Sequence, residues 1–520
     1  MENKKRLLIN IASNIISFFV QLGISFFLTP IITNKVGTDA YGFIGLSNNF
    51  VSYANIFTVI INSMASRFIT YELMRGKTKE ANKYFSSVFY MDVIMSVIVL
   101  IINTLLVINI TRVLNVPEHL VKDVKITFAL SGISLVISIM STIFTIATYV
   151  KNRLDIDAIR NIIGNILKAI VLIILFSFLP PKIYYIMIGG LVFSTFIFAV
   201  NIRITKRLAP ELTISKKYFD KKYIWKLTKS GIWNSINNFS KVLLTGLDLL
   251  IANLFIGATD MGNLSIAKTI PTTIENLMAT IVNVFGPEYI NYYSKHQIRR
   301  LVGEVNFSMK LVALIMIVPI TGFIAFGESF FRLWLTSKTD SEIAEIQILS
   351  VLSLLPFAIS VCNYTLFVLD TTTNKLKRPV IATLIMSIAS VVTTIILLKT
   401  TNLGLYAIAG VSSFYWVLKT IFFNTINAAK NLRINRFTFF RQFGYNFICL
   451  LVTLILFLII SKFLVLNTWK KFLIVVVIVG ICGYILDFMM LLDKEEKRRL
   501  ISKFKTKIII EFLKQKNYNK

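Results

Sequence analysis

About fourteen long apolar runs leave this chain little choice of fold. They cover residues 7–32, 41–71, 85–110, 125–148, 158–179, 183–204, 231–256, 261–290, 305–326, 343–369, 379–399, 404–426, 443–466 and 470–492. Each is near or above the ~20 residues that a helix needs to cross a bilayer. In hydrocarbon, backbone groups must bond inside their own segment, so such runs are expected to be transmembrane helices. At 55% hydrophobic and 16% charged, the 520-residue chain is too apolar for a soluble protein of its length.

The formal net charge of +30 invites a nucleic-acid reading. Its placement argues against one, because Lys and Arg sit between apolar runs and not along a face. Segments 1–6, 72–84, 149–157, 205–230, 291–304, 370–378, 427–442 and the tail after 492 hold roughly 37 of them, against about 7 in the intervening set. That asymmetry puts both termini in the cytoplasm, as an even number of spans requires. The same surplus attracts anionic lipids of the inner leaflet. Lys4-Lys5-Arg6 precedes a run too long for a signal sequence, so no cleavable leader is expected.

Two spans carry polar groups at one repeated spacing. Asn234, Asn238, Lys241, Thr245 and Asp248 fall at i, i+4, i+7, i+11 and i+14, and Lys268, Thr272 and Glu275 at i, i+4 and i+7. Each set shares one helix face. Ionisable groups cost about 3 kcal/mol each at the bilayer centre, so they normally face a protein interior or a watery cavity.

Shifting the chain by 220 residues aligns Gly37-Thr-Asp-Ala-Tyr-Gly42 with Gly257-Ala-Thr-Asp-Met-Gly262. The same shift aligns Asn14 with Asn234, Gln21 with Lys241, Asn48 with Lys268 and Asn55 with Glu275. The first half thus carries a neutral copy of the seam, extended by Ser25, Ser52 and Asn62. Both copies start on the cytoplasmic side, which makes the repeat parallel. The expected architecture is an all-α integral membrane protein of about fourteen transmembrane helices, N-in and C-in. Two six-helix lobes (1–204 and 231–426) flank a basic linker (205–230). Two extra helices (443–492) and a basic tail (493–520) follow. Ile501, Phe504, Ile508 and Phe512 of the tail fit either a helix lying on the inner leaflet or a solvated segment.

Residues equidistant from the loop centre at 258 lie at similar depth, which sets Lys241 level with Glu275 and Asp248 level with Lys268. Two readings stand. The pairs tie two helices together, or they line a cavity, bind a polar substrate or a coupling ion at Asp248 and Glu275, and exchange partners as the lobes rock. A second group, Arg67, Arg160, Lys168, Lys310 and Lys419, falls toward the cytoplasmic ends of its spans without an obvious acidic partner. These cations either snorkel or attract an anionic headgroup. Asn161 and Asn165, on the helix of Lys168, suit sugar hydroxyls.

Catalytic and cofactor motifs are absent from the sequence. There is no GxxxxGK[ST] loop. His119 and His296 are isolated, and Cys362, Cys449 and Cys482 lie in apolar runs as packing residues. Neither a cofactor nor a metal is expected, and the chain reads as a transporter, not an enzyme.

The chain resembles the polysaccharide-unit flippases of the superfamily that also contains lipid II flippases and multidrug exporters. The likeness rests on the Gly37–Gly42 turn, Asn62-Ser-Met-Ala-Ser-Arg67-Phe, and Asp248 through Gly257 with Gly262. Phe326-Gly-Glu-Ser-Phe-Phe-Arg-Leu-Trp-Leu335 and Gly404-Leu-Tyr-Ala-Ile-Ala-Gly410 add to it. It implies two rocking lobes around a central cavity, and an undecaprenyl-diphosphate-linked oligosaccharide as cargo for capsule, O-antigen or a similar glycan. Glycan polymerase and assembly proteins are implied partners. Lipid II flippases carry an arginine in the first span, and drug exporters an acid. Run 7–32 has neither, which favours the sugar flippase. A small-molecule antiporter of the same fold is the alternative, followed by a lipid II flippase or a membrane enzyme of glycan assembly.

Overall fold

The computed structural model describes residues 19–20, 22–151 and 153–498. Asn14, Ser17, Gln21 and the tail from 499 onward lie outside the described residues, and with them the first part of the neutral seam and the surface helix considered for the tail.

Among the described residues all regular structure is helical. Short turns aside, the helices are α1 (22–35), α2 (Thr38–Met74), α3 (Thr78–Ile108), α4 (Val121–Thr142), α5 (Leu154–Phe178), α6 (Tyr184–Leu208), α7 (Lys221–Lys241), α8 (Asp248–Phe255), α9 (Ala258–Ala267) and α10 (Thr269–Asn283). They continue with α11 (Gly286–Ser294), α12 (Ile298–Trp334), α13 (Asp340–Ser360), α14 (Leu366–Thr372), α15 (Lys377–Thr400), α16 (Leu405–Leu418), α17 (Thr425–Leu432), α18 (Phe440–Lys462) and α19 (Trp469–Leu491).

Eleven helical stretches are long and apolar enough to cross a membrane, or twelve if α7 and α8, bent by 43°, count as one. Two of the expected fourteen are therefore not seen as spans. Run 7–32 is only partly described. Run 261–290 is not one helix but α9, α10 and α11, of 10, 15 and 9 residues. Proline explains the first break. Pro271 has no N–H to give to the Ala267 carbonyl, and the Ser350 hydroxyl donates to that oxygen instead, at 2.5 Å.

Packing divides the chain into two compact units. One comprises Met1–Thr273, Trp334–Ser353 and Leu376–Lys419, the other Ile274–Leu333, Leu354–Lys375 and Thr420–Lys520.

In the first unit α3, α4, α7 and α9 pack on α2. Ile61, Ala65 and Ile69 of α2, Tyr84, Phe85 and Val88 of α3, and Leu227 of α7 share one buried core. Lipid is as apolar as leucine, so helices associate in it through close van der Waals approach and interhelical hydrogen bonds. Small residues supply both here. Gly231 of α7 sits directly on the Ile60 carbonyl of α2, where a Cβ would collide. One turn on, the Ser235 hydroxyl donates to the Ile56 carbonyl at 2.6 Å. Gly37 (φ 116°) precedes α2 and its repeat equivalent Gly257 (φ 159°) precedes α9, so both copies of the turn use a positive φ.

The segment between α6 and α7 is strapped to the start of α3. Asn82 donates to the Glu211 carbonyl (3.0 Å) and accepts from the Thr213 N–H (2.9 Å). The Ser215 and Asp220 N–H groups donate to the Ser86 and Ser87 hydroxyls (3.1 and 3.0 Å).

In the second unit α18 and α19 join α12 through Val318, Phe326, Phe457, Phe472 and Val479. Asp370 accepts from Asn427 and Asn431, both at 2.8 Å.

Candidate functional site

The polar seam centres on a break in the seventh span. After Lys241 the helix widens into a π-helical turn, Val242–Gly246, and then bends into α8. Such a turn interrupts the i→i−4 ladder and frees carbonyls. The two freed oxygens are both taken. The Thr245 carbonyl accepts from Lys268 Nζ at 3.0 Å. The Gly246 carbonyl accepts from Asn49 Nδ2 (2.9 Å) and from the Tyr53 hydroxyl (2.7 Å), both on α2. One backbone turn of the second repeat is thereby clasped by two side chains of the first.

Asp248 opens α8, with its carboxylate at the positive end of that short helix. It is 5% exposed and forms an ion pair with Lys268, which lies between α9 and α10. The cation neutralises a buried carboxylate that would otherwise be strongly unfavourable. A chain of hydroxyls continues nearby, Thr29 to Tyr41 (3.1 Å) and Tyr41 to Thr269 (3.3 Å).

The other seam residues differ in character. Asn48 is exposed, and Asn55, Asn234 and Asn238 are half-buried. Among the described residues none of their side-chain amides has a hydrogen-bond partner, and none is a buried orphan. These amides are therefore open to a ligand. Lys241 is exposed at the end of α7 in the first unit, while Glu275 is half-buried on α10 in the second.

The second group of cations falls into three kinds. Two of its members do have acidic partners, contrary to the sequence reading. Arg160 is buried, pairs with Asp157 at 3.0 Å and donates to Asn201. Lys310 is held by Glu496 at 2.8 Å, with Asp493 at 3.7 Å. That pairing beyond α19 crosses 186 positions, so no local spacing reveals it. Lys419 is buried over the Trp416 ring at 5.7 Å, where it begins a second π-helical turn, Lys419–Asn424. Arg67 is exposed on α2 and Lys168 half-buried on α5, its stem against Gly189 of α6. Among the described residues no carboxylate lies within ion-pair distance of either. Asn165, one turn before Lys168, is half-buried and has no hydrogen-bond partner among the described residues.

Sequence reasoning passed over Asn49 and Tyr53, which stand beside the seam stripe, and Asp92, which donates no obvious periodicity. The signal for Asp92 was present: it is the one ionisable group inside run 85–110 apart from Tyr90.

This is a multi-pass membrane protein. Residues 7–288, more than half of the chain, match the family described as "Polysaccharide biosynthesis protein", and the chain belongs to that family. It is 25% identical over 497 residues to "Uncharacterized membrane protein EpsK" of Bacillus subtilis (strain 168), which covers 96% of this chain and 98% of EpsK. Among solved structures, the lipid II flippase MurJ in an inward closed conformation superposes with a TM-score of 0.64 at 15% identity, over 92% of this chain and 98% of MurJ. The MATE multidrug transporter DinF-BH in complex with R6G gives 0.62 at 15% identity, over 84% and 96%. A MOP superfamily transporter from Pyrococcus furiosus Vc1 gives 0.59 at 13%, over 83% and 96%. The fold is that of the MOP-superfamily transporters.

Proposed function

We propose that the protein moves an undecaprenyl-diphosphate-linked oligosaccharide from the inner to the outer leaflet of the cytoplasmic membrane by alternating access, supplying capsule, O-antigen or exopolysaccharide assembly. One observation carries this reading: a polysaccharide-biosynthesis family match in a chain whose α2 and α7 present the open amides of Asn48, Asn55, Asn234 and Asn238. Carboxamides are suited to hydroxyl-rich ligands because each offers donors and acceptors. Arg67 and Lys168 suit the diphosphate, Arg by forked contacts and Lys as a point charge. The clasp at Gly246 holds the repeats together, and the Asp248–Lys268 pair ties the second repeat to itself, at the end that the charge pattern assigns to the outside. The cycle must release them for the cargo to leave. A glycan polymerase is the partner that receives the product, and anionic lipids surround the basic cytoplasmic face.

Depletion of the protein tests the reading. Lipid-linked oligosaccharide should accumulate on the cytoplasmic leaflet, where enzymes added to inside-out vesicles reach it and enzymes added to intact spheroplasts do not. Accumulation on the outer leaflet, or none, sinks the proposal. Dye efflux that depends on the protein would favour the small-molecule antiporter.

A further inference from the structure

Asp92 lies in the middle of α3 and is 1% exposed. Asn62, on α2 and in the seam row with Asn48, Ser52 and Asn55, donates its Nδ2 to Asp92 Oδ1 at 2.8 Å and to the Thr58 carbonyl at 3.3 Å. The remaining oxygens are the anomaly. Asp92 Oδ2 and Asn62 Oδ1 are both buried without a hydrogen-bond partner, and so is the Ser96 hydroxyl one turn along α3. A carboxylate cannot donate, and an amide oxygen cannot donate. Two acceptors left on one facing pair lack a hydrogen between them.

Charge offers no alternative remedy. Titratable groups on the helices packed against α3 include Tyr53 and Arg67 on α2, Lys125 on α4, and Lys226 and Lys229 on α7; Tyr90 is on α3 itself. Among the described residues none lies within ion-pair or hydrogen-bond distance of Asp92. This contrasts with Asp248, which has Lys268. An uncompensated carboxylate in an apolar surround takes up a proton instead of remaining charged.

We propose that the Asp92–Asn62 pair is a proton-binding site. A proton on Oδ2 turns an orphan acceptor into a donor facing a carboxamide whose own oxygen lacks one. The acid then gives one hydrogen bond and receives one. The site is neutral when α2 and α3 are packed as here, and it loses the proton to water when movement of α2 opens the seam beside Asn62. Its role in the cycle rests on the transport reading above, but its chemistry does not.

Infrared difference spectroscopy of the purified full-length protein, titrated in H2O and D2O, tests the chemistry. A protonated-carboxyl carbonyl band that shifts in D2O should be lost in Asp92→Asn and kept in Asp487→Asn, which removes another buried acid with an orphan oxygen. An Asp92→Asn spectrum identical to the native one overturns the proposal. So does a band that responds to added Na⁺ at constant pH. Thermal unfolding of Asp92→Asn at or above the native temperature shows that the lost band is not misfolding; if that variant fails to fold, Asn62→Leu gives a second measure, since it should move the titration without removing the acid. In proteoliposomes, imposed pH gradients should change the native flipping rate, with at least a tenfold loss of that response in Asp92→Asn. Flipping that responds equally in both overturns the coupling role. A band assigned to Asp92 in a protein that moves no lipid-linked saccharide leaves the proton site standing and removes the transport reading.

Discussion

Gly42 of α2 and Gly262 of α9 meet backbone to backbone: a Cβ placed on Gly42 would lie 2.9 Å from both the Cα and the nitrogen of Gly262. The two are equivalent under the 220-residue shift. So are Gly45 and Ser265, which also touch. Positions matched by that shift in the sequence thus touch at two successive turns of α2 and α9.

Gly262→Ala should therefore destabilise the protein. A Cβ there collides with the Thr38 carbonyl, which cannot move away without shifting α2. Overpacking of this kind costs about 1–3 kcal/mol. Thermal unfolding in detergent should show a lowered Tm for Gly262→Ala and none for Gly410→Ala, whose Cβ would enter open space. Equal effects would mean the glycine contact does not matter.

Lys268→Met should cost more than Lys268→Met combined with Asp248→Asn. The single change leaves a buried carboxylate unpaired, worth about 3–5 kcal/mol, and the double change removes the charge. A double-mutant cycle by chemical denaturation measures the coupling. Additive effects would show that the pair is not energetically linked.

Lys168→Ala should weaken binding of a polyprenyl diphosphate by about tenfold, the size of one lost charge-assisted hydrogen bond. The decline of affinity with salt should also become shallower. Unchanged affinity and salt response would take Lys168 out of the diphosphate site. Arg67→Ala is expected to behave in the same way.

Lys310→Met should free the short helix at 494–498 from α12. Trypsin should then cut at Lys494 and Lys497 several-fold faster than in the native protein. Acid should act in the same direction. Backbone N–H donation from Glu496 holds the Asp493 carboxyl below its ordinary range, with Lys310 adding to the effect. A carboxyl with a lowered folded value stabilises above its unfolded value of about 3.9 and loses that contribution as pH falls through the folded one. Helix release should therefore begin below about pH 4 and not near neutrality. An acid-resistant protease would read it. Cleavage independent of both changes would show that Lys310 does not anchor this segment.

Periodicity and charge asymmetry were enough to read a multi-pass helical membrane protein. Loop symmetry also put Asp248 level with Lys268, and the two form an ion pair. That argument worked because antiparallel neighbours joined by a short turn have little freedom in depth. It could not find Glu496 for Lys310, because that partner comes from the far end of the chain. Asp157 for Arg160 was readable, since i and i+3 share a helix face. It was missed because acids in the connection were counted as loop residues. The division of 261–290 into three helices was signalled by Pro271 and Gly286-Pro287. Hydropathy averages over such breaks. Asp92 was hidden for the same reason, as one charged residue in a strongly apolar window.

The clasp on the seventh span receives its hydrogen bonds at the carbonyls of Thr245 and Gly246, and every amino acid carries a carbonyl. A saturation scan would then give a misleading map. Position 245 should tolerate many side chains, although its oxygen holds Lys268, while sensitivity concentrates at the donors Asn49, Tyr53 and Lys268. Selection on this junction is displaced from the residues that bend to the residues that reach them, so variant tolerance along the span is a poor guide to where it works.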